Sequence, residues 1–311
     1  MRVLVVGSTG VLGRNVIPRL LERGHQVRAV VRREEQAHLL KRMGAEAVIG
    51  NILDARSMHA ASRDVHTGLH LATAIPGNGS QDWSLNDRIR LEGTRNLLDA
   101  LILNGAQNYV QQSITLVYGE HGEEIVDETA QLQATPISRS AIEMEAMVRD
   151  SGLAWTILRG GLFYGPGTGR EESWWQGARD GSMTIPGDGG DLVSLVHVVD
   201  MARAVVAATE HSSAPTGRLY NIVDDEPVRI KELFGYIAAQ VGAAGLPSGS
   251  PRYLPSLGVS NVKAQIELHW QPVFPNYRIG LAYAQLQGIQ RNIPVMASPR
   301  AADRVQAEAI L

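Results

Sequence analysis

No cysteine occurs among the 311 residues, which excludes disulfides, thiolate metal sites and a cysteine nucleophile. No apolar run approaches the roughly 20 residues that a membrane-spanning helix needs. The apolar start, Val3 to Val6, meets Gly7 before it reaches the roughly 7–15 residues of a signal-peptide core. A soluble, cytoplasmic protein without a membrane partner is therefore expected. Neither sign of charge dominates: 29 Lys and Arg stand against 32 Asp and Glu, a net charge of −3. That balance argues against a chain built to hold nucleic acid. Neither H-E-x-x-H nor a carboxylate cluster at ligand spacing is found, so no metal is expected. Charged residues make up only 20% and hydrophobic ones 44%, a composition that folds rather than stays disordered. The length allows one large domain or two ordinary ones.

Glycine is in excess: 32 of 311 residues, where about 7% is usual. The opening residues show where some of it goes. Arg2 to Val6 is a β-branched apolar run that reads as a strand buried on both faces. Gly7-Ser8-Thr9-Gly10-Val11-Leu12-Gly13 follows, then Val16, Ile17, Leu20 and Leu21 at helical spacing, with Gly24 as the stop. A second strand runs from Gln26 to Val31. Strand, glycine turn, helix and strand make half of a dinucleotide-binding fold. The first glycine permits a tight turn, the second lets backbone approach a pyrophosphate, and the third lets helix pack on strand. The helix N-terminus then offers unpaired N–H groups and partial positive charge to the phosphates. The candidate cradle is thus Gly7, Ser8, Thr9, Gly10, Val11, Leu12 and Gly13.

This stretch resembles the short-chain dehydrogenase/reductase superfamily in its extended branch, the NAD-dependent epimerase/dehydratase-like proteins, which write T-G-x-x-G-x-x-G. Further motifs carry the resemblance over about residues 1–280. Gly93-Thr94-Arg95-Asn96-Leu97-Leu98 is similar to G-T-x-N-L-L, Ser113 to Gly119 to S-S-x-x-V-Y-G, and Leu158 to Gly167 to L-R-P-x-x-x-Y-G-P-G with Gly160 for Pro. Val196 to Asp200 resembles V-H-V-x-D, and Leu268 to Pro272 resembles L-G-W-x-P with His269 for Gly. The resemblance implies a doubly wound α/β fold, a parallel sheet with helices on both faces. It implies a dinucleotide domain of residues 1–165 plus 196–224 and an interwoven substrate-binding region of 166–195 plus 225–311. It also implies a small-molecule substrate and an isologous homodimer through the helices near 85–104 and 136–150.

For the cofactor, the resemblance places Asn51, Ile52, Leu53 and Asp54 near the adenine, and Leu71, Ala72 and Thr73 near the ribose. Asp54 equally suits the N-cap of the helix that Ala55 begins. Family members binding NAD hold an acid at the end of the second strand. Here Arg32 and Arg33 stand there, and a planar guanidinium suits a 2′-phosphate. NADP is expected, with NAD as the alternative.

The family reaction uses a Tyr as general acid/base and a Lys four residues on, so that both project from one helix face. The pair should fall near 135–145, where Thr135 is read as the cap and Pro136 as the first turn of a helix. One register puts Ile137 and Ala141 at the two positions; a shifted one puts Thr135 and Arg139 there. Neither supplies Tyr or Lys. The substrate-orienting Ser/Thr position holds Ile114, flanked by Ser113 and Thr115, and the usual Asn three before Gly93 is Arg90. This argues against carbonyl–alcohol chemistry through that dyad. Tyr118, Thr115 and Ser113 become the candidate catalytic groups, with Arg139 behind them.

In the substrate region, Trp174 and Trp175 either wall a pocket or anchor a lid, His197 is read as structural, and Asp200 as a helix N-cap. The leading expectation is an oxidoreductase or epimerase-like enzyme with a non-standard catalytic site. Its rivals are a non-catalytic dinucleotide sensor or assembly factor, and an RNA-binding relative, which the charge balance disfavours.

Overall fold

The computed structural model describes residues 1–76, 82–211, 217–243 and 245–290. Its centre is a parallel sheet of seven strands: β1 (Arg2–Val6), β2 (Gln26–Val31), β3 (Glu46–Ile49), β4 (Thr67–His70), β5 (Asn108–Ile114), β6 (Ala154–Gly160) and β7 (Arg218–Ile222). Their order across the sheet is β7-β6-β5-β4-β1-β2-β3. Val3 stands opposite Val27 of β2 on one side and Thr67 of β4 on the other. The order reverses between β1 and β4, and in such sheets ligands bind in the crevice at the carboxyl ends of those strands.

The apolar run of β1 explains the layering. Alternate side chains of a strand point to opposite faces. Val3 and Val5 pack in one core with Leu12, Val16, Ile17 and Leu20 of helix α1 (Val11–Glu22). Leu4 and Val6 pack in a second core with Met58, Leu97 and Leu101. Helices α2 (Glu34–Arg42) and α3 (Ala55–Ala61) follow. Next comes α4, one helix in three stretches: α-helical Ser84–Arg88, a wider π turn over Ile89–Gly93, and α-helical Thr94–Leu103. The remaining helices are α5 (Arg139–Arg149), α6 (Arg170–Asp180), α7 (Val198–Glu210), α8 (Ile230–Gln240), α9 (Val262–Glu267) and α10 (Tyr277–Gln290). Among the described residues no helix is long and apolar enough to cross a membrane.

A third apolar cluster joins Tyr164, Trp175, Met183, Leu195, Ile230, Phe234, Tyr277 and Leu281. Trp175 is buried there with its indole N–H on Glu171 Oε1 at 3.3 Å, and Trp174 meets Phe234 edge-on. Short two-stranded pairings tie this part to the sheet. Leu162–Tyr164 runs parallel to Leu195–His197, and Ile125–Val126 to Gly258–Val259.

The fourth strand ends at His70, and two local expectations are corrected. Helix α5 begins at Arg139 rather than at Pro136, because Thr135 and Ser138 close a turn ahead of it: the Thr135 N–H donates to Ser138 Oγ at 2.9 Å, and the Ser138 N–H to the Thr135 carbonyl at 3.2 Å. Asp200 is not the cap of α7. The helix starts three residues earlier, capped by His197, whose Nδ1 accepts from the Val199 N–H at 3.3 Å. Asp200 reaches across the fold instead and accepts from the N–H groups of Val273 and Phe274 at 2.9 and 2.8 Å.

Candidate functional site

The glycine turn links the carboxyl end of β1 to α1. Gly7 has φ +90°, and a Cβ there would lie 2.6 Å from the backbone of Leu71 and Ala72. A side chain is thus excluded twice, by conformation and by contact. At Gly13 a Cβ would stand 2.3 Å from the Gly7 carbonyl oxygen, so the third glycine lets the helix sit on the turn. The Gly10 N–H closes the loop onto that same carbonyl at 3.1 Å. The first turn of α1 contains no acidic residue, which leaves the positive end of the helix dipole uncompensated by the chain. Thr9 and Gly10 are exposed, Val11 is half-buried, and Leu12 turns into the core. Ser8 is buried, its hydroxyl donating to the Val30 carbonyl.

Beside the turn, the Leu71 N–H continues the β1–β4 pairing onto Val6 at 2.9 Å. Leu71 is buried, Ala72 half-buried and Thr73 exposed. Past β2, a hollow of about 360 Å³ is lined by Arg32, Ile49, Gly50, Asn51, Asp54 and Ser57. Arg32 and Arg33 are both exposed, and Arg33 precedes α2 in extended conformation. Asp54 caps α3, accepting from the Arg56 N–H at 3.0 Å, while Asn51 Oδ1 accepts from the Leu53 N–H at 3.1 Å. Ile52 is buried, and its carbonyl accepts from Asn96 of α4 at 2.9 Å.

The candidate catalytic hydroxyls lie where β5 ends. Ser113 is buried and donates to Glu145 Oε1 of α5 at 2.7 Å. Glu145 also receives Arg159 of β6 through two nitrogens at 2.9 and 2.6 Å, and Arg149 at 2.7 Å. Burial alone would raise this carboxyl, but the bonds and charge of Arg159, then Ser113 and Arg149, hold it below its usual range. Arg159 lies over the ring of Tyr118, 4.8 Å from its centre. Tyr118 is fully buried and donates to Asn221 Oδ1 at 2.7 Å; burial pushes its phenol up. Thr115 opens the tight turn Thr115–Tyr118, and its hydroxyl has no hydrogen-bond partner among the described residues. Ser113 and Tyr118 therefore serve the packing of β5 against α5 and β7, and Thr115 is the hydroxyl left uncommitted.

The positions that should have held polar groups are apolar in space as well. Ile114 and Ala141 belong to one apolar cluster with Val117, Tyr118, Val126 and Val223. Ile137 is half-buried and Arg139 exposed. Arg90, on the π turn of α4, is buried and donates to the Ile137 carbonyl at 2.9 Å and to Ser140 Oγ at 3.0 Å. Burial pulls its guanidinium down to about 10, and Asp87 partly opposes the change. Its sequence signal was the departure from Asn, but not the partner it takes. The Glu145–Arg159 pair joins two separate elements, and no residue near either one in the sequence announces it. His66 and His70 are four apart in the sequence, but a strand places such residues roughly 13 Å apart. Among the described residues no group of three His, Asp or Glu could hold a metal.

A model of the NAD dependent epimerase/dehydratase family matches residues 3–223. A 3-diazoavenalumate denitrifying reductase from a Streptomyces species is 32% identical over 308 residues, covering 90% of this chain and 99% of that protein. A 2-alkyl-3-oxoalkanoate reductase of Stenotrophomonas maltophilia is 29% identical over 256 residues, 78% of this chain and 76% of the other. Among solved structures, MoeE5 in complex with UDP-glucose and NAD superposes with a TM-score of 0.80 at 23% identity, over 94% of this chain and 99% of its own. With its glycine turn at 7–13 and its sheet order reversed beside it, the chain belongs to the NAD-dependent epimerase/dehydratase family, and its function is of the NAD(P)-binding oxidoreductase or epimerase-like kind.

Proposed function

We propose that this protein is a reductase that uses NADPH, with NADH as the alternative, on a small-molecule diazo compound that loses dinitrogen as it is reduced. The observation that carries the reading is the missing proton-transfer pair. No tyrosine in the sequence is followed four residues on by lysine, and only three lysines occur, Lys41, Lys231 and Lys263. Reduced nicotinamide, when bound, supplies a hydride, and an aryl diazonium carbon that takes it releases dinitrogen with the electrons of the broken C–N bond, so atoms and charge balance with no proton moved. Such a reaction does not need the dyad. The reductase from Streptomyces, similar over nearly its whole length, is named for a denitrifying reduction of a diazo compound.

The chain's own residues divide the work. A Cβ at Gly7 or Gly13 would strike the chain's own backbone, so these glycines fix the close turn, and the N–H groups of the first turn of α1 bind a pyrophosphate there. Arg32, at the hollow with Asn51 and Ser57, takes a 2′-phosphate, and Ala72 and Thr73 border the ribose. Ile114, Ile137 and Ala141 present an apolar floor that excludes water, and Thr115 orients the substrate. Segments 166–195 and 225–311 supply the substrate-binding region; their part beyond 290 lies outside the described residues. The exposed Leu85, Ile102 and Leu103 of α4 suit a homodimer.

The test supplies the protein with NADPH and an isotopically labelled aryl diazonium salt, and measures nicotinamide absorbance and labelled dinitrogen against a protein-free control. Protein-dependent dinitrogen release matched to NADPH consumption is expected. Oxidation of NADPH by 3-oxo acids without dinitrogen from the diazo compound overturns the reading in favour of a carbonyl reductase. Saturable NADPH binding with no turnover on either class overturns it in favour of a sensor.

A further inference from the structure

Arg170, the first residue of α6, is half-buried, and it lies in the segment assigned above to the substrate. Its one hydrogen bond among the described residues is from NH1 to the Phe163 carbonyl, at 2.7 Å. Phe163 stands on the stretch that leaves the carboxyl end of β6, so the guanidinium lies at the sheet end where the cofactor and substrate meet. Of the other arginines withdrawn from water, Arg28 has Glu46 at 3.0 Å and Arg159 has Glu145 at 2.6 Å, while Arg90 spends its guanidinium on the Ile137 carbonyl and Ser140 Oγ. Arg170 has no such ion pair among the described residues. Its two acidic neighbours in the chain are turned elsewhere. Glu171 is buried against the Trp175 indole, and Glu172 accepts from the Gly167 N–H at 2.8 Å. Burial accordingly lowers the guanidinium's pKa, opposed only by the Tyr253 phenol nearby.

Withdrawing a guanidinium from water without a counter-ion is costly, and an arriving anion offsets that cost. A guanidinium carries five N–H donors in a planar fork, which matches a carboxylate in a two-point contact. We infer that Arg170 is the anchor for a carboxylate on the substrate, so that the substrate class is an organic acid whose far end is reduced. The inference rests on the reductase reading for the identity of the pocket.

The test measures binding rather than turnover, and so can fail independently of that reading. NADPH-saturated protein is titrated by calorimetry with cinnamate and octanoate, and with the neutral amides of the same two acids. At least one acid is expected to bind about tenfold or more tighter than its amide, as a charge-assisted pair requires. Arg170→Gln removes that preference while leaving NADPH binding unchanged, and Arg170→Lys keeps part of it. If neither acid binds, if acid and amide bind wild-type protein alike, or if Arg170→Gln retains the preference, the anchor is wrong. The wild-type comparison needs no variant, so it stands even if Arg170→Gln does not fold. Dinitrogen release without acid preference removes the anchor and keeps the reductase; acid preference without dinitrogen release does the reverse.

Discussion

Gly7 and Arg32 stand at opposite ends of the proposed nucleotide site and carry different kinds of information. Gly7 is required by backbone shape, so its meaning is the same for either dinucleotide. In the function proposed above Arg32 discriminates between them, because only NADP carries a 2′-phosphate for a guanidinium to meet. Its backbone N–H bonds Gln36 Oε1 at 3.3 Å, which fixes where its side chain starts without using the guanidinium. Arg32→Ala is therefore expected to weaken NADPH binding by roughly tenfold or more, the worth of one charge-assisted contact, and to leave NADH binding within about twofold. Calorimetric titration of both nucleotides checks this. Equal weakening would mean that Arg32 acts on structure rather than on the phosphate, and the preference for NADP would fall with it.

Where the residues just after β7 meet the start of α7, buried carboxyls give this junction a pH response. Asp224 is buried and pushed up to about 8, first by burial; the hydrogen bonds from Tyr164 and the His197 N–H oppose the rise, and the charges of Asp200 and Asp225 add to it. Its folded value lies above the ordinary carboxyl value of about 3.9. The folded state then keeps a proton that the unfolded chain has released. Stability is full below about 4, falls as pH rises through the window from about 4 to about 8, and levels off above it. Glu171, raised to about 7 by burial, acts in the same sense, and His197, lowered to about 4 by burial, acts oppositely. The difference between wild type and Asp224→Asn isolates one group. Each pH unit between a folded and an unfolded pKa is worth about 1.4 kcal/mol. Urea unfolding at about pH 5 and about pH 8 should therefore show wild type losing at least about 1 kcal/mol more than the variant. Parallel losses would mean that Asp224 titrates normally.

The same junction shows which elements a sequence discloses. The cores of β1, β2 and α1 are visible as runs and periods because each apolar side chain answers to its own element's geometry. The end of β4 and the start of α7 are set from outside. Asp200 is held by backbone more than seventy residues later, and nothing near it in the chain announces that. The glycine cradle was legible because three residues within one short turn build it. The fate of Ser113 was not, because Glu145 and Arg159, which claim it, lie on two other elements.

At the scale of the whole molecule, the cradle has consequences for stability as well as binding. It joins β1, β4 and α1, which meet in the two cores that flank the sheet. A ligand held there contacts residues that come together only in the folded chain, so it binds the native state and not the unfolded one. Linkage then fixes the size of the effect: roughly 2.7 kcal/mol when the nucleotide is at 100 times its Kd. For a chain of 311 residues each kcal/mol moves Tm by about 1.5 °C, so NADPH at that excess should raise the melting temperature by about 4 °C. Gly7→Val offers the control. The added side chain meets the backbone of Leu71 and Ala72, which should lower the starting Tm and abolish the NADPH-dependent rise together. A scanning fluorimetry series in NADPH and NADH measures both. A Tm that neither nucleotide moves at millimolar concentration would show that the turn is only a junction between strand and helix, and the cofactor, hydride source and pocket argued from it would go with it.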